Sequence, residues 1–315
     1  MQNTRIDYVI VTFLEHLEVE KNVSKLTVRN YGHYLMRFES WMAKKKVVNI
    51  KNLDGELMRK YRLYLSRLSD DKGQTLSKKT QGYHLIALRS MLKWLIVNDI
   101  EVYNPEKIEL PKSESTPMRF TEGENLERFL DSPDINTPAG LRDRAILEVL
   151  FSTGLRVSEL ASLNCEQVNI DRGEFGVIGK GRRPRVVFLS ERARGWLDKW
   201  LVTREDQWSP LFIRFGGKRP PSPLSDGEEM TLCVRRLEQI VDKYAKIAHL
   251  PIKISPHGLR HSFATDLLSN GANIRDVQEI LGHKSIVTTQ IYTHVTRPQL
   301  KEAHRKYHNR QTDTK

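Results

Sequence analysis

Residues 255–294, SPHGLRHSFATDLLSNGANIRDVQEILGHKSIVTTQIYTH, constrain this chain more than any other stretch, because helix starts and helix stops follow one another closely along it. Ser255 is a good N-cap, and Pro256 suits the first helical position, where the N–H it lacks would have no partner anyway. Leu259, Phe263 and Leu267 recur at helical spacing and predict the buried stripe of that helix. Asn270 and Gly271 tolerate the left-handed backbone that ends it. Ile274, Val277, Ile280 and Leu281 give a second helix its apolar face, Gly282 closes that one, and Ser285 can cap a third. Such punctuation leaves short helices joined by tight turns as the local fold.

The polar residues of this stretch fall at the helix ends. His257 and Arg260 lie one turn apart beside the expected stripe, at the edge of the core, where a side chain is held rigidly and still reaches a ligand. His283 projects from the end of the second helix, and Tyr292 falls near the end of the third. Arginine with imidazoles matches an anionic oxygen and tyrosine adds a nucleophile, so the group suits an attack on phosphate. Taken singly, a histidine at a helix end is usually a cap or surface group and a tyrosine usually packing. Helix, glycine turn and helix is also the outline of a DNA-binding helix-turn-helix without catalysis. Zinc fits poorly: His257 and His261 lack a glutamate beside the first histidine, and Cys165 and Cys233 lie far off in sequence. No metal or other cofactor is expected.

The blocks His257-Gly258-Leu259-Arg260-His261, Leu281-Gly282-His283 and Tyr292-Thr293-His294 resemble the second signature of the tyrosine site-specific recombinases, closest to the Xer group. Residues 153–160, TGLRVSEL, resemble the family's first arginine block, and Gly179-Lys180-Gly181 its lysine hairpin. The resemblance implies six catalytic residues: Arg156, Lys180, His257, Arg260, His283 and the nucleophile Tyr292. Only about 0.1% of an ordinary tyrosine is ionised at neutral pH, so the attack needs help with its proton. By resemblance His257 is the base, Arg156 and Arg260 neutralise the phosphate oxygens with support from His283, and Lys180 protonates the leaving 5′ oxygen. The product is a 3′-phosphotyrosine link that conserves the bond energy, so neither ATP nor metal is required. Two departures stand in the hairpin GKGRRPRVVFL, where family members usually carry a lysine or polar residue in place of Pro184 and valine-proline in place of Val187-Phe188. The acidic, proline-containing stretch 219–229 also departs from the family's short basic connection.

Earlier in the chain the periodicity is helical. Ile10, Phe13 and Leu17 mark one helix; Val28, Tyr31, Leu35, Phe38 and Trp41, after Ser24, mark a second; Leu57, Tyr61, Tyr64 and Leu68 mark a third. Ser77 caps a fourth, with Leu85, Leu88, Leu92 and Leu95 buried and Lys78, Lys79, Thr80, His84, Arg89 and Lys93 available to its other faces. Lys78 and Lys79 add charge to free backbone donors at a helix N-terminus, an arrangement that suits phosphate or equally a solvated face. Resemblance of residues 24–38 and 76–95 to the family's four-helix core-binding domain favours DNA, with Lys78, Lys79, Thr80 and Arg89 as its contacts.

Residues 104–117, NPEKIELPKSESTP, hold three prolines without helical periodicity and read as a linker. Thr121 and Glu124 then form a capping box, and Leu141, Ala145, Val149 and Leu150 mark a buried helix ending near Gly154. Glu159, one turn from Arg156, can orient its guanidinium, or form only an ordinary helix salt bridge. Residues 167–170, 174–178 and 185–189 read as three short strands, with Lys180 at a hairpin tip. The expected organisation is a core-binding domain over 1–103, a linker over 104–117, a catalytic domain over 118–296 and a tail over 297–315. The fold class is mainly α with a small antiparallel β-sheet, and the resemblance implies a two-domain, C-shaped clamp.

The chain has 51 Lys and Arg against 39 Asp and Glu, a net charge of +12 over 315 residues, which points to a polyanionic partner. Two cysteines without paired spacing fit a reducing cytosol, and no apolar run approaches membrane-span length. The resemblance implies double-stranded DNA with two inverted half-sites, a homo- or hetero-tetramer on paired sites and a nucleoid-associated cytoplasmic location, and leaves open whether a second recombinase or a DNA translocase is required. There is no room before residue 5 for the arm-binding domain of phage-type integrases, which favours chromosome dimer resolution or a similar exchange. Leu300, Ala303 and Tyr307 give the tail a narrow apolar stripe, and the resemblance implies docking in trans on a neighbouring protomer. Two other readings remain open. A type IB topoisomerase shares the tyrosine, arginines and lysine, and a helix-turn-helix regulator shares the outline; a covalent DNA adduct excludes the regulator, and exchange between duplexes excludes the topoisomerase.

Overall fold

The computed structural model describes residues 4–69, 73–112, 120–179, 184–216 and 226–282. The chain divides into two compact units, Met1–Thr116 and Pro117–Lys315, each with its own apolar core. Among the described residues no helix is long and apolar enough to cross a membrane.

The first unit holds α1 (Ile6–Val19), α2 (Lys25–Lys44), α3 (Gly55–Arg67) and α4 (Lys78–Val97). α2, α3 and α4 start where short polar side chains accept otherwise orphaned N–H groups. Ser24 accepts from Thr27 N, Asp54 from Leu57 N and Ser77 from Thr80 N, at 3.2, 2.7 and 3.1 Å. Phe13, Leu35, Phe38, Tyr61, Leu88 and Leu92 pack between the four helices. The stripe of α3 differs from expectation. Met58, Tyr61 and Leu65 are buried, Leu57 and Tyr64 only half-buried, and Leu68 lies past the helix end. Both sets flank Tyr61, whose ring packs edge-on against Phe38 at 5.0 Å and against Trp41 at 5.2 Å; that anchorage sets the rotation of the helix.

Two further expectations are corrected here. His84, read as available to an outer face of α4, is 1% exposed and lies 4.6 Å from the Tyr34 ring. Burial, helped by the nearby Arg37 charge, pushes its imidazole down to about 4, so it packs as a neutral ring. The stretch read as a linker is packed over its first part. Residues 105–107 form a 3₁₀ turn, with Asn104 accepting from Glu106 N at 2.9 Å, and Pro105 and Ile108 are buried. Glu106 binds Arg89 at 2.8 Å and Lys93 at 2.6 Å. Prolines forbid a helix there without forbidding burial.

The second unit opens with α5 (Gly123–Leu130). The expected capping box is absent: Glu122 is the cap residue without a side-chain bond, and buried Thr121 instead donates its N–H to Ser262 Oγ at 3.0 Å. The chain continues through α6 (Pro138–Thr153), α7 (Val157–Ala161), β1 (Glu174–Ile178), β2 (Pro184–Phe188), α8 (Glu191–Val202), α9 (Val234–Ile247), α10 (Pro256–Ser269) and α11 (Ile274–Leu281). β1 and β2 pair antiparallel, from Glu174 opposite Phe188 to Ile178 opposite Pro184. The first expected strand does not form; residues 165–167 make a 3₁₀ turn and only Asn169 bridges to Glu174. Val168 is its only buried residue, and one anchor does not hold a strand on a core.

α6 is the axis of this core, with α8 and α10 packed on it. It is buried on every side, charges included. Arg144 and Arg192 both bind Glu148 Oε1, at 2.9 and 2.7 Å, and Arg192 reaches Glu127 on α5 at 2.5 Å. Asp143 accepts from the Tyr244 hydroxyl of α9 at 2.9 Å. Paired charges of this kind join helices in a fixed register, since breaking one pair leaves an uncompensated buried ion.

Candidate active site

Three elements of the second unit meet around the turn that follows α6. Gly154 ends that helix in the left-handed conformation, φ +58°, and a Cβ there would lie 2.4 Å from Phe263 of α10 and 3.0 Å from Leu281 of α11. Only glycine allows so close an approach. The Gly154 carbonyl is used at once: Arg260 Nη1 donates to it at 2.5 Å, and Arg260 Nη2 donates to the Leu281 carbonyl at 2.5 Å. Arg260 is thus 1% exposed, not at the core edge as its place beside the stripe implied. α10 is buried nearly all round, including Gly258, Ser262, Ala264 and Thr265, with Leu268 rather than Leu267 completing the apolar contact. Small residues on its remaining faces let the neighbouring elements close over it.

Arg156 is the N-cap residue of α7, two positions beyond Gly154. Glu159, one turn on, accepts from Arg156 N at 2.8 Å and from Arg156 Nη1 at 2.7 Å, which fixes the guanidinium while leaving the side chain 30% exposed. The same carboxylate has a second partner that the sequence reading missed. Arg185, on β2, binds it bidentately, Nη1 to Oε1 at 3.0 Å and Nη2 to Oε2 at 2.8 Å, and sends Nε to the Ile280 carbonyl of α11 at 3.1 Å. Burial alone would raise the Glu159 carboxyl, but the bonds from Arg185 and Arg156 outweigh it and hold the group down at about 2. A sequence signal for Arg185 exists. It shares a strand face with Val187, which is fully buried, and an arginine on the inward face of an alternating strand needs a buried partner.

His257 lies on the first turn of α10 and is exposed; His261, one turn further, is buried against Phe120 with ring centroids 5.2 Å apart. Burial, with repulsion from His257, pushes His261 down to about 4, so it is a neutral core group. Among the described residues no group of three or more His, Cys, Asp or Glu is placed to hold a metal ion. The structure therefore gathers Arg156, Glu159 and Arg260 at one turn, with Arg185 added. Lys180, His283 and Tyr292 lie outside the described residues, although His283 follows Gly282, the left-handed cap of α11, directly in the chain. In the first unit, Lys78, Lys79 and Thr80 occupy the first turn of α4, while Arg89 is engaged by Glu106.

Comparison with known proteins places these elements in context. Residues 119–298 match the Phage integrase family, and residues 10–98 match the family described as Phage integrase, N-terminal SAM-like domain. The chain is 36% identical over 314 residues to tyrosine recombinase XerD of Pseudomonas aeruginosa, covering 96% of this chain and 97% of that one. Tyrosine recombinase XerC of Bacillus subtilis is 33% identical over 307 residues, covering 95% of each chain. Among solved structures, the XerH site-specific recombinase bound to palindromic difH substrate, a post-cleavage complex, superposes with a TM-score of 0.68 at 25% identity, over 93% of this chain and 82% of that one. The Tn1549 transposon integrase in complex with a circular intermediate DNA gives 0.73 at 17% identity, over 96% and 100%, a likeness of fold.

Proposed function

The chain belongs to the phage integrase family as a site-specific tyrosine recombinase of the Xer type, and from that premise we propose how its residues divide the chemistry of strand exchange. Tyr292 Oη attacks a DNA phosphodiester in line, giving its proton to His257. The bond to the 5′ oxygen breaks, and Lys180 protonates that leaving oxygen to give a free 5′-hydroxyl. Arg156 and Arg260, supported by His283, take up the charge that gathers on the non-bridging oxygens; guanidinium groups suit this because they meet two oxygens at once. Reversal by the 5′-hydroxyl of another strand completes the exchange. The observation that carries this reading is the anchoring of Arg260 on the carbonyl of Gly154, which brings two arginines from distant parts of the sequence to one turn.

The partner in this reading is double-stranded DNA with two inverted half-sites, bound by Lys78, Lys79 and Thr80 at the N-terminus of α4, and by Arg89 once Glu106 releases it. Four protomers, of one kind or of two, act on paired sites, in chromosome dimer resolution or in the integration or excision of a mobile element, at the nucleoid. In this reading the core-binding domain, residues 1–103, and the catalytic domain, residues 118–296, each bind the duplex, while residues 297–315 dock on the next protomer.

A nicked suicide substrate tests the assignment. Wild-type protein should leave a covalent protein–DNA band on a denaturing gel, in EDTA and without nucleotide, and Tyr292→Phe should bind DNA yet leave none. Arg156→Ala and Arg260→Ala should each slow band formation by at least about 10²-fold. A band that survives in Tyr292→Phe, or one that requires added Mg²⁺, refutes the division of roles.

A further inference from the structure

We propose that Arg185 is a positioning residue for the cleavage reaction, acting through Glu159 to aim Arg156 and through Ile280 to fix the end of α11 against the hairpin. The inference rests on the assignment of Arg156 to the phosphate. Its own ground is the geometry of one side chain that ties three elements together.

The bonding capacity of Glu159 makes the case. A carboxylate offers about four acceptor directions, and here all are taken: Oε1 by Arg156 Nη1 and Arg185 Nη1, Oε2 by Arg156 N and Arg185 Nη2. With both its oxygens held by Arg185, the carboxylate cannot rotate, so the direction it imposes on Arg156 is single. Were Arg185 absent, the same carboxylate would have Arg156 alone and could swing with it. The third bond, from Nε to the Ile280 carbonyl, extends the constraint to the last turn of α11. Gly282 lies directly against the same side chain, since a Cβ there would sit 3.0 Å from Arg185 Cδ. Arg185 is 9% exposed and Glu159 7%, so water does not substitute for either partner. A plain structural ion pair would need only one contact; this guanidinium spends three N–H groups on two separate elements, and a lysine cannot reproduce that fork.

The charged groups facing Glu159 are Arg156 from the turn before α7 and Arg185 from β2, while α11 presents a backbone carbonyl to Arg185. Removing Arg185 therefore weakens the hold on the ionised carboxylate, and protonation of Glu159 moves up in pH. A purely structural role would lower stability without moving the pH dependence of the reaction.

The test uses the full chain, a nicked suicide substrate and rates of covalent-complex formation from pH 3 to 8, with mobility shifts for binding. Arg185→Ala should bind within about threefold of wild type, form the complex at least about tenfold more slowly, and lose activity at a higher pH on the acid side. Arg185→Lys, which keeps the charge, should recover part of the rate. Glu159→Gln should be slow, and adding Arg185→Ala to it should cost little more, because both act on Arg156 by one route. Wild-type rates and an unmoved acid limb in Arg185→Ala, or in Arg185→Lys where the alanine variant does not fold, overturn the proposal, as do fully additive losses in the double variant. A wild-type protein that forms no covalent complex overturns the assignment of function beneath it instead.

Discussion

Replacing Gly154 with alanine tests the central turn, because the effect can be worked from two independent costs. At φ +58° an L-residue carries about 1–2 kcal/mol of backbone strain. The new Cβ would also lie 2.4 Å from Phe263 Cδ1, a distance no pair of carbons tolerates, and 3.0 Å from Leu281 Cδ2, a tight contact, and both side chains are buried with little space to swing into. Overpacking of this kind costs about 1–3 kcal/mol. The expected loss is about 2–5 kcal/mol, or a Tm lower by about 4–20 °C for a unit of this size. Because the Gly154 carbonyl anchors Arg260, cleavage should fall together with stability. Scanning calorimetry on the full chain reads the first effect and the suicide-substrate assay the second. Gly195→Ala is the control of opposite sign: it lies inside α8, a Cβ there meets nothing within 4 Å, and the change should stabilise by about 0.5–1 kcal/mol. A Gly154→Ala protein that melts within a degree of wild type and cleaves normally would refute the account of this turn.

Three further outcomes are expected. Glu159→Gln should flatten the dependence of stability on pH: a carboxyl held at about 2 against an ordinary 4.5 contributes stability that is complete above 4.5 and lost as pH falls through that window, so urea midpoints from pH 6 to 3 should converge for the two proteins. Arg192→Ala should destabilise by about 1–3 kcal/mol at neutral pH, since it strips a partner from buried Glu148. Burial already raises the Glu148 carboxyl against the pull of Arg192 and Arg144, and its protonated form needs no ion partner, so the deficit should narrow as pH drops; a constant deficit in calorimetry would argue against it. Truncation after Thr296 should leave half-site binding intact but weaken cooperative assembly on full sites, and unchanged cooperativity in mobility-shift titrations would make the tail a solvated extension.

The local features of this fold are legible in the order of residues because they depend on near neighbours. Ser24, Ser77 and Ser255 cap helices where their spacing implied, and Gly282 ends α11 where the apolar period stops. The motifs TGLRVSEL and HGLRH carried the family assignment, since they keep residue types in a fixed register that survives without knowledge of packing. What tertiary structure alone decided are the contacts between residues far apart in the chain. Periodicity placed Arg260 beside a stripe, but the close approach of Gly154 and Leu281 covered it. Periodicity also left His84 on an outer face, where Tyr34 covers it instead, and gave Thr121 a local capping role that Ser262 displaced from across the chain. Arg185 shows the limit best. Its strand face marks it as inward, yet that its partners are Glu159 and Ile280 follows only from the folding of β2 between α7 and the end of α11, because burial is a property of the whole packed unit and sequence spacing encodes only its neighbourhood.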